Sequence, residues 1–202
     1  VAYAHMDVRE STSVEDAMQS AVSQLGGLDV LVNSAGISSV GAVEANSDEE
    51  WWASMDVNVI GVARVTRSAL PYLREGDSPV IVNLASIASH TGLTNRVIYS
   101  ATKGAVLAMT LAMATDHLAE GIRVNAVAPG TVDTPWVARL LDKADDPIAA
   151  RRALEARQPT GRLVTAQEVA LAVCYLADPR AGSATGTVLD VDGGMHRLAP
   201  PR

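Results

Sequence analysis

The stretch "LDVLVNSAG" (28–36) is a short apolar run that stops abruptly at Asn33-Ser34-Ala35-Gly36. Four to eight apolar residues closed by turn formers fit a strand buried on both faces. The same design recurs in "PVIVNLAS" (79–86) and in "IRVNAVAPG" (122–130), which ends on Pro-Gly. "VAYAHMDV" at the start and "GTVLDVDGG" near the end read as two further strands. Between them lie segments with helical spacing. "SVEDAMQSAVSQLG" stops at Gly26-Gly27, a C-terminal glycine signal. Ser47 with Glu50, and Thr165 with Glu168, form capping boxes that start two more helices. "YSATKGAVLAMTLAMATDHLAEG" and residues 135–157 are also expected to be helical, and the tail "RLAPPR" (197–202) is expected to fray. Apolar strands alternating with helices predict an α/β fold, a three-layer doubly wound parallel sheet. Ligands of such sheets bind beyond the carboxyl ends of the strands. That edge should hold "NSAG", Ser86 and "PGT" (129–131).

With 48% hydrophobic and 19% charged residues in 202, the chain can pack one domain spanning residues 1–202, and it is not of disordered composition. The net charge of −7, without a basic run, argues against nucleic acid as a partner. Scattered arginines argue equally against an anionic membrane surface. No apolar stretch is expected to span a bilayer and no signal-peptide pattern opens the chain, so a cytoplasmic location is the default expectation. Cys174, in "LAVCYLA", reads as a small buried apolar residue. His5, His90, His117 and His196 show no metal-ligand spacing, and no metal is expected.

"YSATK" (99–103) carries one of only two lysines in a chain that otherwise uses arginine. On a helix, Tyr99 and Lys103 share a face one turn apart. An ammonium beneath a phenol lowers the phenol's pKa and makes it a usable acid or base. Each neighbouring signal also has an ordinary structural explanation. Ser86 can be a turn residue, Asn58 a helix asparagine bonded to backbone, Asp7 a strand-end turn former, and Thr131 or Thr134 a helix cap.

Taken together, "NSAG" (33–36), "NVIG" (58–61), Ser86, "YSATK", "PGTVDTP" (129–135) and "DGG" (192–194) resemble, in order and spacing, the short-chain dehydrogenase/reductase family. The resemblance implies a Rossmann-like fold and an NAD(P)-dependent oxidoreductase interconverting a secondary alcohol and a ketone. It implies Tyr99 as the acid/base and Lys103 as the group that lowers the Tyr99 pKa and hydrogen-bonds the nicotinamide ribose. It implies Ser86 as the group orienting the substrate oxygen, and Asn58 as the holder of a water in a proton relay. Cofactor contacts are implied at Asp7, Val8, Asn33, Ala35, Gly36, Tyr99, Lys103, Pro129, Gly130, Thr131, Val132 and Thr134. A homotetramer, built on the helices that follow "NVIG" and contain "YSATK", is also implied. A non-catalytic dinucleotide-binding or sensor relative and an inactive fragment are the competing classes.

The family begins with a glycine-rich phosphate-binding turn and a cofactor-selecting residue, so the resemblance implies about 50 residues before Val1. A finer likeness, in "NRVIYSATK" and "RQPTGRLVTAQEVA", resembles a subgroup containing cytosolic type-2 (R)-3-hydroxybutyrate and 2-keto-3-deoxy-L-fuconate dehydrogenases. It slightly favours NAD over NADP. It also implies that Arg96, Arg157 and, more loosely, Arg139 hold the carboxylate of a small hydroxy acid or sugar-derived acid through bidentate guanidinium bonds.

Overall fold

The computed structural model describes residues 1–142 and 144–199. Lys143 and part of the tail expected to fray lie outside the described residues. Four parallel strands form the main sheet in the order β1 (Val30–Asn33), β2 (Val80–Leu84), β3 (Arg123–Pro129) and β6 (Val188–Val191). Register aligns Val30 with Val80, Val80 with Arg123, and Ala126 with Val188. A small parallel pair, β4 (Val132–Asp133) and β5 (Val164–Thr165), lies apart from it.

Helices α1 (Ser11–Leu25), α3 (Gly61–Leu73) and α4 (Val97–Asp116) cover one face. Their core joins Val14, Val65, Leu73 and Ala114 to Leu31, Ile81 and Val124 of the strands. Helix α7 (Ala166–Ala177) covers the other face, packing Ala172 and Leu176 on Val80, Val82 and Val127. Helix α2 (Asp48–Met55) precedes one π-helical turn, Asp56–Ile60, and α5 (Pro135–Leu141) and α6 (Pro147–Glu155) follow β4. The doubly wound α/β architecture is the expected one. Both capping boxes form, and Gly26 ends α1 with a φ of 82°.

Four local expectations change. Residues 1–7 form no strand, because among the described residues no neighbouring strand pairs their N–H and C=O groups. Strand β1 is buried on one face only. Val30 and Val32 are each 40% exposed, since α7 packs on β2, β3 and β6 and stops short of this edge. Residues 135–157 form two helices. Asp146 caps the second, accepting from Ile148 N at 3.0 Å and Ala149 N at 2.9 Å, with Pro147 in its first turn. Helix α4 is long and apolar enough, by length and composition, to cross a membrane, contrary to the sequence expectation. Here it lies against the sheet, burying Ile98, Thr102, Val106, Thr110 and Ala114 along one stripe.

Four buried polar side chains tie the sheet to its helices. Asn33 Nδ2 donates to Asn83 Oδ1 at 2.9 Å and to Thr66 Oγ1 at 3.1 Å, and Asn83 Nδ2 donates to Thr110 Oγ1 at 2.9 Å. Removing the central amide strands a donor on Asn33 and leaves a small cavity. Asn83→Ala should therefore cost about 2–5 kcal/mol, seen as a lower urea midpoint with an unchanged m-value. A loss below about 0.5 kcal/mol would show that the network contributes nothing net.

Candidate active site

The chain leaves β2 at Ser86, which turns into a short 3₁₀ segment, Ile87–Ser89. Ser86 Oγ accepts from Ala88 N at 3.2 Å, and Ser89 Oγ accepts from Ser86 N at 3.3 Å. This reciprocal cap fixes the Ser86 hydroxyl beyond the carboxyl end of β2. Helix α4 begins just after Arg96, and its first two turns present Tyr99 and Lys103. The Lys103 ammonium stands 5.9 Å from the Tyr99 ring centroid. It is buried and donates to Leu84 O at 2.6 Å. An ammonium carries three donors, so two remain for the cleft that it lines.

Asn58 lies in the π-helical turn, a local distortion that often marks functional positions. Its Oδ1 accepts from Ile37 N at 2.8 Å, while its Nδ2 donates to Ile37 O at 2.8 Å and to Thr102 Oγ1 at 3.0 Å. The amide therefore pins the turn after β1 against α4. Gly36 sits inside that clamp. A Cβ there would stand 3.3 Å from Asn58 Oδ1 and 3.6 Å from Lys103 Nζ, so glycine keeps the backbone close to the ammonium.

Gly36, Ser86, Tyr99 and Lys103 line a cleft of about 660 Å³ at the carboxyl ends of the strands, whereas the buried Asn58 does not line it. Arg96 and Arg157 also reach the cleft. So do Pro129, Gly130, Thr131, Val132 and Thr134, although the Thr134 hydroxyl also caps α5 by accepting from Val137 N at 3.4 Å. Other expected site residues do not converge here. Asn33 is spent on the buried network. Ala35 and Val8 face a smaller depression behind β1. Asp7 is held by Arg9, with Nη2 to Oδ2 at 2.6 Å, which lowers its pKa to about 2. Arg139 is exposed and lines no part of the cleft.

Electrostatics depart from expectation at the phenol. Burial pushes the Tyr99 pKa up, and the Ser86 hydroxyl and the Arg96 guanidinium pull it back only in part. The expected lowering by Lys103 is not the net result, because an apolar cleft disfavours the phenolate first. Burial also brings Lys103 down to about 8. At neutral pH the site thus offers two neutral hydroxyl donors beside an ammonium. Such a set can hydrogen-bond an oxygen that gains negative charge and hand it a proton.

Sequence reasoning missed other wall residues. Cys174, expected inside the core, is exposed and lines the cleft with Trp136 and Met195. The exposed Trp136, directly after "PGTVDTP", was the one available hint.

A family model described as enoyl-(acyl carrier protein) reductase matches residues 1–196. Dehydrogenase/reductase SDR family member 6 of Rattus norvegicus is 40% identical over 173 residues, covering 85% of this chain and 71% of the relative. The chain belongs to the short-chain dehydrogenase/reductase family. A cis-4-hydroxycyclohexanecarboxylate dehydrogenase of Sinomonas cyclohexanicum is 41% identical over 189 residues, covering 93% of this chain and 74% of the relative. A solved actinorhodin polyketide ketoreductase variant with NADPH superposes with a TM-score of 0.90 at 36% identity, covering 96% of this chain and 77% of that one.

This short-chain dehydrogenase/reductase is accordingly an NAD(P)-dependent oxidoreductase acting on CH–OH groups. Two features of the cleft fit the nicotinamide ribose of such a cofactor: the two uncommitted Lys103 hydrogens, and the Gly36 backbone, where a Cβ would crowd Asn58 Oδ1 at 3.3 Å.

Lys103 carries a stability cost with a definite pH dependence. Its folded pKa, about 8, lies below the unfolded 10.5, so the charged form is disfavoured by folding. Between these values the unfolded chain binds more protons, and stability rises with pH. The drop from 10.5 to about 8 corresponds to about 3 kcal/mol of destabilisation below pH 8. Lys103→Met should be inactive yet melt higher than the parent at pH 7, with the gap closing toward pH 10.5. A melting series that shows no gap at pH 7 would rule out the buried charge as a cost.

Proposed function

We propose that this enzyme oxidises the secondary alcohol of a small hydroxy acid, or reduces the matching keto acid, with Tyr99 as the proton-transferring group. One observation carries the substrate class. Among the described residues, the charged ones lining the cleft are Arg96, Lys103 and Arg157 and none is acidic, although the chain's net charge is −7. Arg96 Nη1 donates only to neutral groups, Ser39 O at 3.1 Å and Ser38 Oγ at 3.4 Å. Burial, together with the nearby Arg157 cation, lowers its pKa. Two guanidiniums near each other without a carboxylate between them suit an anionic substrate that supplies one. The Sinomonas relative, a cis-4-hydroxycyclohexanecarboxylate dehydrogenase, is named for a substrate of this kind.

In this reading Ser86 and Tyr99 hydrogen-bond the reacting oxygen, and Tyr99 gives or takes its proton. Lys103 holds the ribose side of the cofactor and supplies positive charge beside the phenol. Asn58 keeps the Gly36–Ile37 turn in place. The arginines fix the acid end of the substrate, which sets the carbinol carbon at the hydroxyl pair. Bound NAD(P) supplies or accepts the hydride. NAD is the proposed partner of the two, on the subgroup resemblance alone.

Steady-state kinetics on hydroxy acids and on matched neutral alcohols test both halves. Tyr99→Phe should lower kcat about 10²–10⁴-fold for every substrate while cofactor binding persists. Arg96→Ala should raise KM for acids about 10–100-fold and leave neutral alcohols nearly unchanged. Equal losses on acids and neutral alcohols would remove the carboxylate contact.

We further propose a homotetramer. The outer face of α4 is apolar and exposed at Ala101, Ala108, Leu111 and Ala112, and α2 adds Trp52, which is 73% exposed. Contiguous apolar surface of this kind marks contact sites between chains. Light scattering should give four chains per particle, and Leu111→Arg should reduce that number. A parent particle of one chain would refute the assembly.

A further inference from the structure

Beside the cleft wall, three side chains remote in sequence meet. His90 follows the 3₁₀ segment that begins at Ser86, Asp190 lies on β6, and His196 lies in the segment after Gly193-Gly194. One ligand-type atom from each lies within 4.8 Å of the other two. The two imidazole centroids are 4.0 Å apart, with the rings tilted by 54°. His90 Nε2 stands 3.3 Å from Asp190 Oδ1. At that separation a hydrogen bond is expected, yet both atoms are buried and neither makes one, to each other or to any described group. A buried ring nitrogen and a buried carboxylate oxygen left facing each other are costly. A cation between them would satisfy both.

We propose that His90, Asp190 and His196 bind a divalent transition-metal ion of the zinc class, as three protein ligands with one position open. Two imidazoles and a carboxylate are a recurrent donor set for such ions. With metal–ligand bonds of about 2.0–2.1 Å, tetrahedral ligand atoms stand about 3.4 Å apart. The His90–Asp190 pair is already at that spacing, and since all three atoms lie within 4.8 Å of one another, no gap need close by more than about 1.4 Å. The surroundings brace this set. Thr91 Oγ1 lies 3.3 Å from His196 Nδ1 and orients that ring. Asp192 Oδ2 accepts from His196 N at 2.7 Å, which fixes the backbone that carries it. The competing cation, Arg197, reaches only the other oxygen, with Nε 3.7 Å from Asp190 Oδ2. A bound ion ties the turn that begins at Ser86 to β6 and to the segment carrying Met195, so it stiffens one wall of the cleft.

Calorimetric titration of tag-free, chelator-stripped protein tests the site. Zn²⁺ should bind at one ion per chain, and Mg²⁺, which prefers oxygen ligands, should not compete. His90→Ala and His196→Ala should each weaken Zn²⁺ at least about 100-fold, Thr91→Ala about 10–100-fold, and His117→Ala not at all. Zn²⁺ binding that is absent from the parent, or unchanged in both cleft-side histidine variants, overturns the site. Should those variants fail to fold, Co²⁺ bound to the parent gives an independent reading. Tetrahedral visible bands abolished by Zn²⁺ support the site, and their absence overturns it.

Discussion

A single buried ammonium sets the terms for the cleft. Lys103 is held by one backbone carbonyl, Leu84 O at 2.6 Å, and its burial is costly enough to bring its pKa to about 8. Keeping a charge there requires that every neighbour be fixed. Asn58 clamps Ile37 with two bonds and reaches Thr102 with a third, and Thr102 Oγ1 donates to Tyr99 O at 2.9 Å. The turn after β1 and the first turns of α4 thus form one hydrogen-bonded body around the ammonium. Gly36 completes it, because a Cβ there would crowd the Asn58 amide at 3.3 Å. Lysine suits the position better than the arginine favoured elsewhere in the chain. Its head is compact, and its pKa yields when buried.

The phenol's behaviour follows from the same burial. Desolvation wins over the Ser86 and Arg96 contributions, so Tyr99 stays protonated at neutral pH. A protonated phenol is a proton donor first. In the oxidative direction it must lose that proton, and any charge that enters the cleft near Lys103 shifts the balance. Burial and charge therefore act on one residue in opposite senses, which makes its protonation responsive to what the cleft contains.

Most of the architecture was legible from sequence because parallel strands buried on both faces must be almost wholly apolar, and "PVIVNLA" and "IRVNAVAP" are, apart from Asn83, Arg123 and Asn125. The capping boxes were legible because their chemistry is local. What failed was non-local. "VAYAHMDV" has strand composition, but pairing needs a neighbour that no local pattern supplies. Val30 and Val32 look like core residues until the reach of α7 is known. Asn33 belongs to a cofactor-binding motif by pattern, yet its amide is consumed by Asn83 and Thr66, which lie 50 and 33 residues away. Ser86, Tyr99 and Lys103 were found because the family motif spaces them, whereas the meeting of His90, Asp190 and His196 spans a hundred residues and follows no motif.

The distribution of charge gives the cleft its character. A chain with net charge −7 repels anions on average, yet among the described residues the cleft wall carries Arg96, Lys103 and Arg157 and no carboxylate. Low-dielectric walls concentrate the field of such a group, which is the basis of the proposal that the cleft takes an anionic substrate. Desolvation sharpens the preference. Arg96 has already lost part of its hydration to Ser38 and Ser39, and the price of burying its charge falls when a carboxylate arrives. A neutral ligand offers no such relief. The folded state therefore holds two unmet electrostatic demands in one cavity, at Lys103 and at the arginine pair, and an anionic ligand pair that met both would stabilise the fold as it bound.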